Sequence, residues 1–228
     1  MIEGAPFIKS EMKLVGESRR NMVVSYPNRD IVIKSPKPGI RENISLKNIR
    51  KRISDYQESA NLVQEKVKSF DGRPDIIIGQ SVVVHNSESG GITYSRVQKK
   101  IDNATTLSDA GLNILNLKRQ SLIDLKSIFK TNIQIYKENG AFLDIVGSTM
   151  SKRPKIDKIL RHLLPIFYSS NILIDSEGVP RLIDMGGLGS IKKESFSTKI
   201  RCQLQMFGSY LSIGILNLGI FLSREETI

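Results

Sequence analysis

Apolar and polar positions alternate in the first part of the chain and recur at helical steps in the parts that follow. Three short apolar runs, MKLVGES, NMVVSYP and DIVIK, lie within residues 12–34, and their β-branched residues predict strands. Two longer runs, DIIIGQSVVVH at 75–85 and GITYSRVQKKI at 91–101, predict two more strands. Between these groups a helix is predicted from about Leu46 to Ser69, because apolar residues recur at steps of three and four at Ile49, Ile53, Tyr56, Ala60, Val63 and Val67.

Helical spacing dominates the second half of the chain. A helix over about 118–139, stopped by Gly140, is predicted by apolar residues at Leu122, Leu125, Ile128, Phe129 and Tyr136. The apolar sequence AFLDIVG then predicts a short strand that carries Asp144. Residues 148–168 predict another helix, which ends at Pro165 and has one strongly basic face.

The last long apolar stretch, residues 202–223, contains no charged residue. By length it reaches the roughly 20 residues that cross a bilayer. Glutamine, serine, asparagine and glycine residues dilute its hydrophobicity, so the sequence favours a buried helix of a globular domain over a membrane span. Cys202, at the start of this stretch, is then expected to be a core thiol.

Residues 169–186, SSNILIDSEGVPRLIDMG, combine two short apolar runs with a tight turn. The first run follows Asn171 and the second leads into Asp184, while Asp, Ser and Gly residues lie between them, which predicts a β-hairpin. A hairpin of this size holds the Asn171 amide and the Asp184 carboxylate at the same end. Both groups are hard oxygen ligands, of the kind that bind Mg²⁺ carrying substrate phosphates.

Composition bounds the class of protein. With 39% hydrophobic and 25% charged residues in 228, the chain is an ordinary globular sequence rather than a disordered one. Its one cysteine excludes an internal disulfide, and no leader segment is recognisable, so a cytoplasmic location is expected. The net charge of +11 leaves phosphate-rich ligands, nucleic acid and anionic membranes open as partners.

The N-I-L-I-D and L-I-D-M-G sequences resemble the metal-binding hairpin of the protein-kinase-like fold, which protein kinases and aminoglycoside phosphotransferases share. Met185 stands where that family usually has Phe. The I-V-I-K strand resembles the family's V-A-I-K strand. The resemblance implies ATP and Mg²⁺ as cofactors, with Lys34 on the phosphates and with Asn171 and Asp184 on the metal.

The same resemblance implies an α+β, two-lobed architecture. Residues 1–101 would form an N-lobe with a small antiparallel sheet and one long helix. Residues 102–228 would form a reduced, mainly helical C-lobe, which contains the hairpin and a helical insertion over about 148–168. The hinge whose backbone meets adenine would consist of Gln98, Lys99, Lys100 and Ile101. Either of two helix residues, Glu58 or Glu65, would pair with Lys34, although both fall on the polar side of the helix.

The catalytic base is the point at which the chain departs from the family pattern. Asp144 follows Gly140 at nearly the family's distance, which makes it the candidate base. The family places that Asp five residues before the metal-binding Asn, where this chain has Ile166. Two interpretations therefore stay open: an active phosphotransferase that uses Asp144, or a pseudokinase that binds nucleotide or acts as a scaffold. The phosphate acceptor, or the protein partner of a scaffold, is not specified.

Three further expectations concern nucleic acid, membranes and the two histidines. A basic nucleic-acid-binding protein is an alternative from another class, but aromatic residues for base stacking make up only 6% of the chain. Contact with a membrane is not expected from the hydropathy of the chain. His85 is expected to be a structural histidine, because no second His or Cys lies at metal-ligand spacing from it. For His162 a general base is one interpretation, but a surface histidine in a basic helix is favoured.

Overall fold

The computed structural model describes residues 13–17, 21–26, 29–37, 44–87, 90–143, 145–146, 160, 162–183, 189–190 and 196–223. The chain divides into two compact units, one formed by Met1–Lys51 and Gly79–Ile101 and the other by Arg52–Ile78 and Asp102–Ile228. This division differs from the predicted boundary at residue 101, because residues 52–78 group with the second unit.

The first unit is built on a five-stranded antiparallel sheet. Its strands are β1 (Lys13–Glu17), β2 (Asn21–Ser25), β3 (Ile31–Pro36), β4 (Gln80–Asn86) and β5 (Ile92–Lys99), arranged in the order β1-β2-β3-β5-β4. The predicted strands within 12–34 and 91–101 are confirmed. Because side chains alternate between the two faces, Ile33 of β3 is buried and the flanking Val32 and Lys34 face the other way and are half-buried.

Helix α1 (Leu46–Ser69) has the bounds predicted from the spacing of its apolar residues. Ile49, Tyr56, Val63 and Val67 are all buried, so the predicted apolar face does pack inward. Tyr56, Val63 and Val67 belong to the hydrophobic core of the second unit.

The prediction of a continuous strand from residue 75 is wrong at its start. Residues Pro74–Ile76 form a 3-10 turn, Ile77 makes a single parallel bridge to Leu182, and β4 begins only at Gln80. The Arg181 guanidinium donates to the Asp75 carbonyl at 2.8 Å and to its carboxylate at 3.0 Å. These hydrogen bonds fix the turn, and they join residues far apart in the chain, so local propensity does not reveal them.

The second unit is mainly helical, as predicted, and the α+β fold class is confirmed. Its described elements after the boundary are β6 (Thr105–Thr106), α2 (Leu107–Ala110), a 3-10 turn (Gly111–Asn116), α3 (Arg119–Asn139), β7 (Ala141–Phe142), α4 (Pro165–Tyr168), β8 (Ile172–Ile174), β9 (Pro180–Leu182), β10 (Gly189–Ser190) and α5 (Phe196–Leu222). Helix α3 ends at Gly140, whose φ of 57° is the left-handed conformation that favours glycine. Pro165 begins a helical turn instead of ending one.

Helices α3 and α5 are joined by buried hydrogen bonds as well as by apolar packing. The Asn132 amide of α3 donates to Ser209 Oγ of α5 at 3.3 Å and accepts from the Leu143 N–H at 2.9 Å. Gln205 of α5 donates to the Leu143 carbonyl at 2.6 Å. These bonds satisfy polar groups that would be costly to bury alone. They also fix which face of α5 points into the core.

Within the described residues, Cys202–Leu222 of α5 is the one segment long and apolar enough to cross a membrane, and 39% of it is buried in the structure. The buried side includes Cys202, as predicted, together with Met206 and Leu216. The prediction that this stretch packs as a helix of the second unit is confirmed for that side only, because the opposite side carries exposed large apolar residues.

Candidate functional site

The hairpin predicted around Asn171 is present. Strand β8 pairs antiparallel with β9, and Ile172 lies opposite Leu182. One step further out, the Ile183 N–H donates to the Asn171 carbonyl at 2.8 Å. Asn171 is buried. Asp184 follows Ile183 directly in the sequence and lies outside the described residues.

The turn of this hairpin is organised by one carboxylate. Asp175 accepts hydrogen bonds from the N–H groups of Val179 at 2.8 Å and Glu177 at 3.0 Å, and from Arg181 Nε at 2.9 Å. Burial opposes the charged form, but the hydrogen bonds outweigh it and hold the pKa of the Asp175 carboxyl below its usual value. The turn therefore keeps a charged, hydrogen-bonded anchor at neutral pH, which fixes the hairpin that positions Asn171.

The segment that carries Asp144 runs beside the residues that precede Asn171. Asp144 itself lies outside the described residues, so its predicted role as the base stays a prediction. The Ser169 hydroxyl donates to the Ile145 carbonyl, and the Ser170 N–H and hydroxyl donate to the Val146 carbonyl at 3.2 and 2.9 Å. The backbone next to Asp144 is thus hydrogen-bonded to the backbone next to Asn171 within one unit.

Lys34 lies in the other unit, near the end of β3. It is half-buried and pairs with Arg96 of β5, so both cations are on the same face of the sheet. Its two predicted partners belong to the second unit, where both are exposed on α1. Glu58 accepts a hydrogen bond from Ser54 at 3.0 Å. The predicted pairing of Lys34 with Glu58 or Glu65 stays a prediction.

The predicted hinge residues follow the end of β5. Gln98 is half-buried on the face of the sheet that carries Lys34. Lys99 is exposed, and its Nζ lies 3.8 Å from Oδ2 of Asp30. The Lys100 N–H donates to the Asp30 carbonyl at 3.1 Å, so this donor already has a partner within the chain. Ile101 is half-buried at the end of the first unit.

Sequence reasoning did not single out Gln80 or Arg96. Gln80 lies directly opposite Gln98 and donates to it at 3.3 Å. Gln80 Oε1 and Gln98 Nε2 are buried and have no hydrogen-bond partner among the described residues. Only the pairing of β3, β4 and β5 places these residues beside Val32 and Lys34, and a single sequence does not fix that register.

The two histidines have different surroundings. His85 Nδ1 lies 3.0 Å from the Asn86 carbonyl and its Nε2 lies 2.7 Å from Ser95 Oγ, which agrees with a structural role. His162 is half-buried rather than on the surface. Among the described residues, no cluster of three or more His, Cys, Asp or Glu side chains is arranged to hold a metal ion.

The amide of Asn171 and the carboxylate of Asp184 are oxygen donors of the type that Mg²⁺ prefers. The hydrogen bond between Ile183 and Asn171 places these two residues together at one end of the hairpin, and Asp184 is the next residue in the sequence. By its chemistry this pair of donors fits the cofactor that the resemblance implies, and substrate phosphates and water would supply the other ligands.

Comparisons with known proteins give no sequence match and a structural likeness. No family model matches the chain. No curated protein sequence matches it either. A structure of WbdD, described as a bifunctional kinase-methyltransferase, is similar at 13% identity over 88% of this chain and 42% of that chain, with a TM-score of 0.37. The chain thus spans less than half the length of WbdD.

A choline kinase, LicA from Streptococcus pneumoniae, is similar at 11% identity over 95% of this chain and 86% of that chain, with a TM-score of 0.34. TM-scores of this size decide neither the family nor the activity of the chain.

Proposed function

We propose that the chain is a kinase-like phosphotransferase that binds ATP with Mg²⁺ and transfers a phosphoryl group to a hydroxyl acceptor. The observation that carries the proposal is a pair of hydrogen-bonded connections in the second unit. One joins Asn171 to Ile183, the neighbour of Asp184, and the other joins Ser169 and Ser170 to the segment that carries Asp144. These connections support the proposal because they join Asn171 and the sequence neighbours of Asp184 and Asp144 within one unit.

Each residue has a distinct role in this proposal. Asn171 and Asp184 hold the metal, and Lys34 holds phosphate oxygens of the nucleotide. Bound Mg²⁺ supplies neutralisation of the charge on the phosphates. Asp144 orients the acceptor hydroxyl and accepts its proton, which is the main task left to a protein side chain in phosphoryl transfer. The acceptor is not identified, and a cytoplasmic location remains part of the proposal.

A pseudokinase is the second candidate, and a specific observation favours it. Ile166 stands five residues before Asn171, where the resemblance expects the base, and it is fully buried. An apolar, buried side chain at that position performs no proton transfer. In this version the chain binds ATP with Mg²⁺ but does not hydrolyse or transfer its phosphate. The nucleotide-bound protein then acts as a scaffold for an unidentified protein partner.

Slow ATP turnover with water as acceptor distinguishes the two candidates. If Asp144 is the base, Asp144→Asn is expected to lower turnover by about 10²- to 10⁴-fold, the usual contribution of a general base. ATP affinity should change little, because the base contacts the acceptor and not the nucleotide. The measurement is ADP formation beside ATP binding by calorimetry.

Asp55→Asn on the exposed side of α1 is the matched control for loss of one carboxylate. Wild-type protein that binds Mg²⁺ and ATP but forms no ADP would support the pseudokinase. Turnover that is equal in wild type and Asp144→Asn would remove Asp144 from the mechanism.

A further inference from the structure

Helix α5 carries a continuous apolar face that the fold leaves exposed. Its large side chains have exposed fractions of 39–59%, and they are Phe207, Tyr210, Leu211, Leu218, Phe221 and Leu222. At 100° per residue these six positions fall within an arc of about 120°. They extend over about 22 Å of helix at 1.5 Å per residue. We call this surface the α5 stripe.

The opposite side of α5 is anchored, so the stripe cannot turn inward. Gln205 donates to the buried carbonyl of Leu143, and Ser209 accepts from Asn132 of α3. Ser209 and Ser212 are fully buried. A helix held in this way by polar contacts to its own domain does not cross a bilayer on its own. It keeps a fixed apolar face on the outside of the unit.

An exposed apolar surface of this extent on one helix needs an explanation, because isolated exposed apolar residues are normal but contiguous patches mark interaction sites. The stripe is also free of charge along its whole length, since residues 202–223 contain no charged side chain. Surfaces that contact lipid and surfaces that contact protein share these properties, so the choice between them depends on the surrounding charge.

Two exposed lysines lie next to the stripe. Exposed Lys199 precedes it on the same helix, and exposed Lys137 of α3 lies with its ammonium group 5.7 Å from the ring of Tyr210. The chain as a whole carries a net charge of +11. A symmetric dimer through the stripe would bring together two chains that each carry a net charge of +11, and this repulsion opposes it. An anionic lipid surface attracts them instead, so charge complementarity favours a membrane over a second copy.

We propose that α5 lies in the plane of an anionic bilayer surface, with the stripe in the boundary between headgroups and acyl chains and with Lys137 and Lys199 at headgroup level. Interfacial helices bind through the sum of buried apolar area and attraction to anionic lipid. Hydropathy alone predicted no membrane contact. In this proposal the helix contacts the membrane surface and does not span the bilayer. This proposal is independent of nucleotide binding.

The full chain should sediment with vesicles of phosphatidylcholine and phosphatidylglycerol, less with phosphatidylcholine alone, and less again at high salt, because salt screens the attraction. The double substitution Phe207→Ser with Leu218→Ser should weaken binding to the mixed vesicles by about tenfold or more, given the apolar area removed. Leu14→Ser with Val15→Ser removes two equally exposed apolar side chains from β1 and should leave binding unchanged.

Two matched double substitutions test how much the lysines beside the stripe contribute to vesicle binding. Lys137→Glu with Lys199→Glu should weaken binding to the mixed vesicles, while Lys47→Glu with Lys51→Glu, at exposed positions of α1, changes the net charge equally and should have a much smaller effect. A purely long-range effect of net charge would make the two pairs equal, and that result would overturn the assignment of Lys137 and Lys199.

The depth of α5 in the bilayer is measured by tryptophan fluorescence. The chain contains no tryptophan, so a single introduced tryptophan gives the whole signal. Phe221→Trp should shift to shorter emission wavelength and be quenched by brominated lipid when mixed vesicles are added, whereas Leu14→Trp should not. Thermal unfolding of each variant without lipid confirms that it is folded. Absence of vesicle binding by folded wild-type protein would overturn the proposal, and so would self-association without lipid that Phe207→Ser with Leu218→Ser abolishes.

Discussion

Replacing Arg73 by alanine is expected to lower the free energy of unfolding by about 3–5 kcal/mol, the range found when one partner of a buried ion pair is removed. Arg73 donates to the Asp124 carboxylate from Nε at 2.8 Å and from Nη2 at 2.6 Å, and its backbone N–H donates at 3.1 Å. The side chain of Asp124 is fully buried in α3. Without the guanidinium, a buried carboxylate loses its only charge partner among the described residues and keeps bonds from the Arg73 N–H and Gln120.

The reciprocal substitution should cost less. Asp124→Ala leaves a guanidinium that is 38% exposed and turns towards water, so no uncompensated buried charge remains. Arg119→Ala, at an exposed position of α3, is the matched control and should change stability little. Urea unfolding of the three variants measures the difference. Equal losses for Arg73→Ala and Asp124→Ala would contradict the account of the ion pair.

Replacing Gly208 by alanine is expected to destabilise the protein by about 1–3 kcal/mol, the range for overpacking. A Cβ at this position would lie 2.1 Å from the carbonyl oxygen of His162 and 2.8 Å from that of Leu163. Backbone atoms do not rotate out of the way as a flexible side chain does. Helix α5 and the segment before α4 therefore have to move apart, and packing around Pro165 is lost.

Gly214 provides the opposite case on the same helix. It is exposed, and a Cβ there would meet nothing within 4 Å. Gly214→Ala is expected to raise stability by about 0.5–1 kcal/mol, because alanine has the better helix propensity. Thermal and urea unfolding of both variants test the pair. A stabilised Gly208→Ala protein would mean that α5 does not approach residues 162–165 as closely as the structure shows.

Local periodicity was sufficient to predict the long elements. Helix α1 has the predicted bounds, α3 begins within a residue of the predicted start, and the hairpin of β8 and β9 follows its apolar runs and its Asp and Gly turn. In each case the signal lies within the element itself, as a repeat of 3.6 residues or as a turn between β-branched runs.

Tertiary contacts decide the features that the sequence did not reveal. The turn at Pro74–Ile76 depends on Arg181, and the ion pair of Arg73 with Asp124 joins residues 51 positions apart. The sequence favoured a buried helix over residues 202–223, but the fold buries Gln205, Ser209 and Ser212 of α5 and leaves its large apolar stripe exposed. Asp144 and Asp184 lie outside the described residues, and their roles rest on sequence and on their neighbours.

The hairpin that carries Asn171 is held at both ends. Asp175 fixes the turn through three hydrogen bonds, and the bond between Ile183 and Asn171 closes the other end. A short hairpin held at both ends keeps the backbone of Asn171 and Ile183 in place, and the proposed metal site would need preorganisation of this kind.

Calorimetric titration with ATP tests the central claim most directly, in excess Mg²⁺ and again with chelator, for wild type, Asp184→Asn and the control Asp55→Asn. We expect wild type and Asp55→Asn to bind more tightly with Mg²⁺, and Asp184→Asn to bind with the chelator-level affinity under both conditions while unfolding at the wild-type temperature. ATP affinity that is the same with Mg²⁺ and with chelator in all three proteins, or no ATP binding at all, would contradict the assignment of a kinase-like nucleotide site.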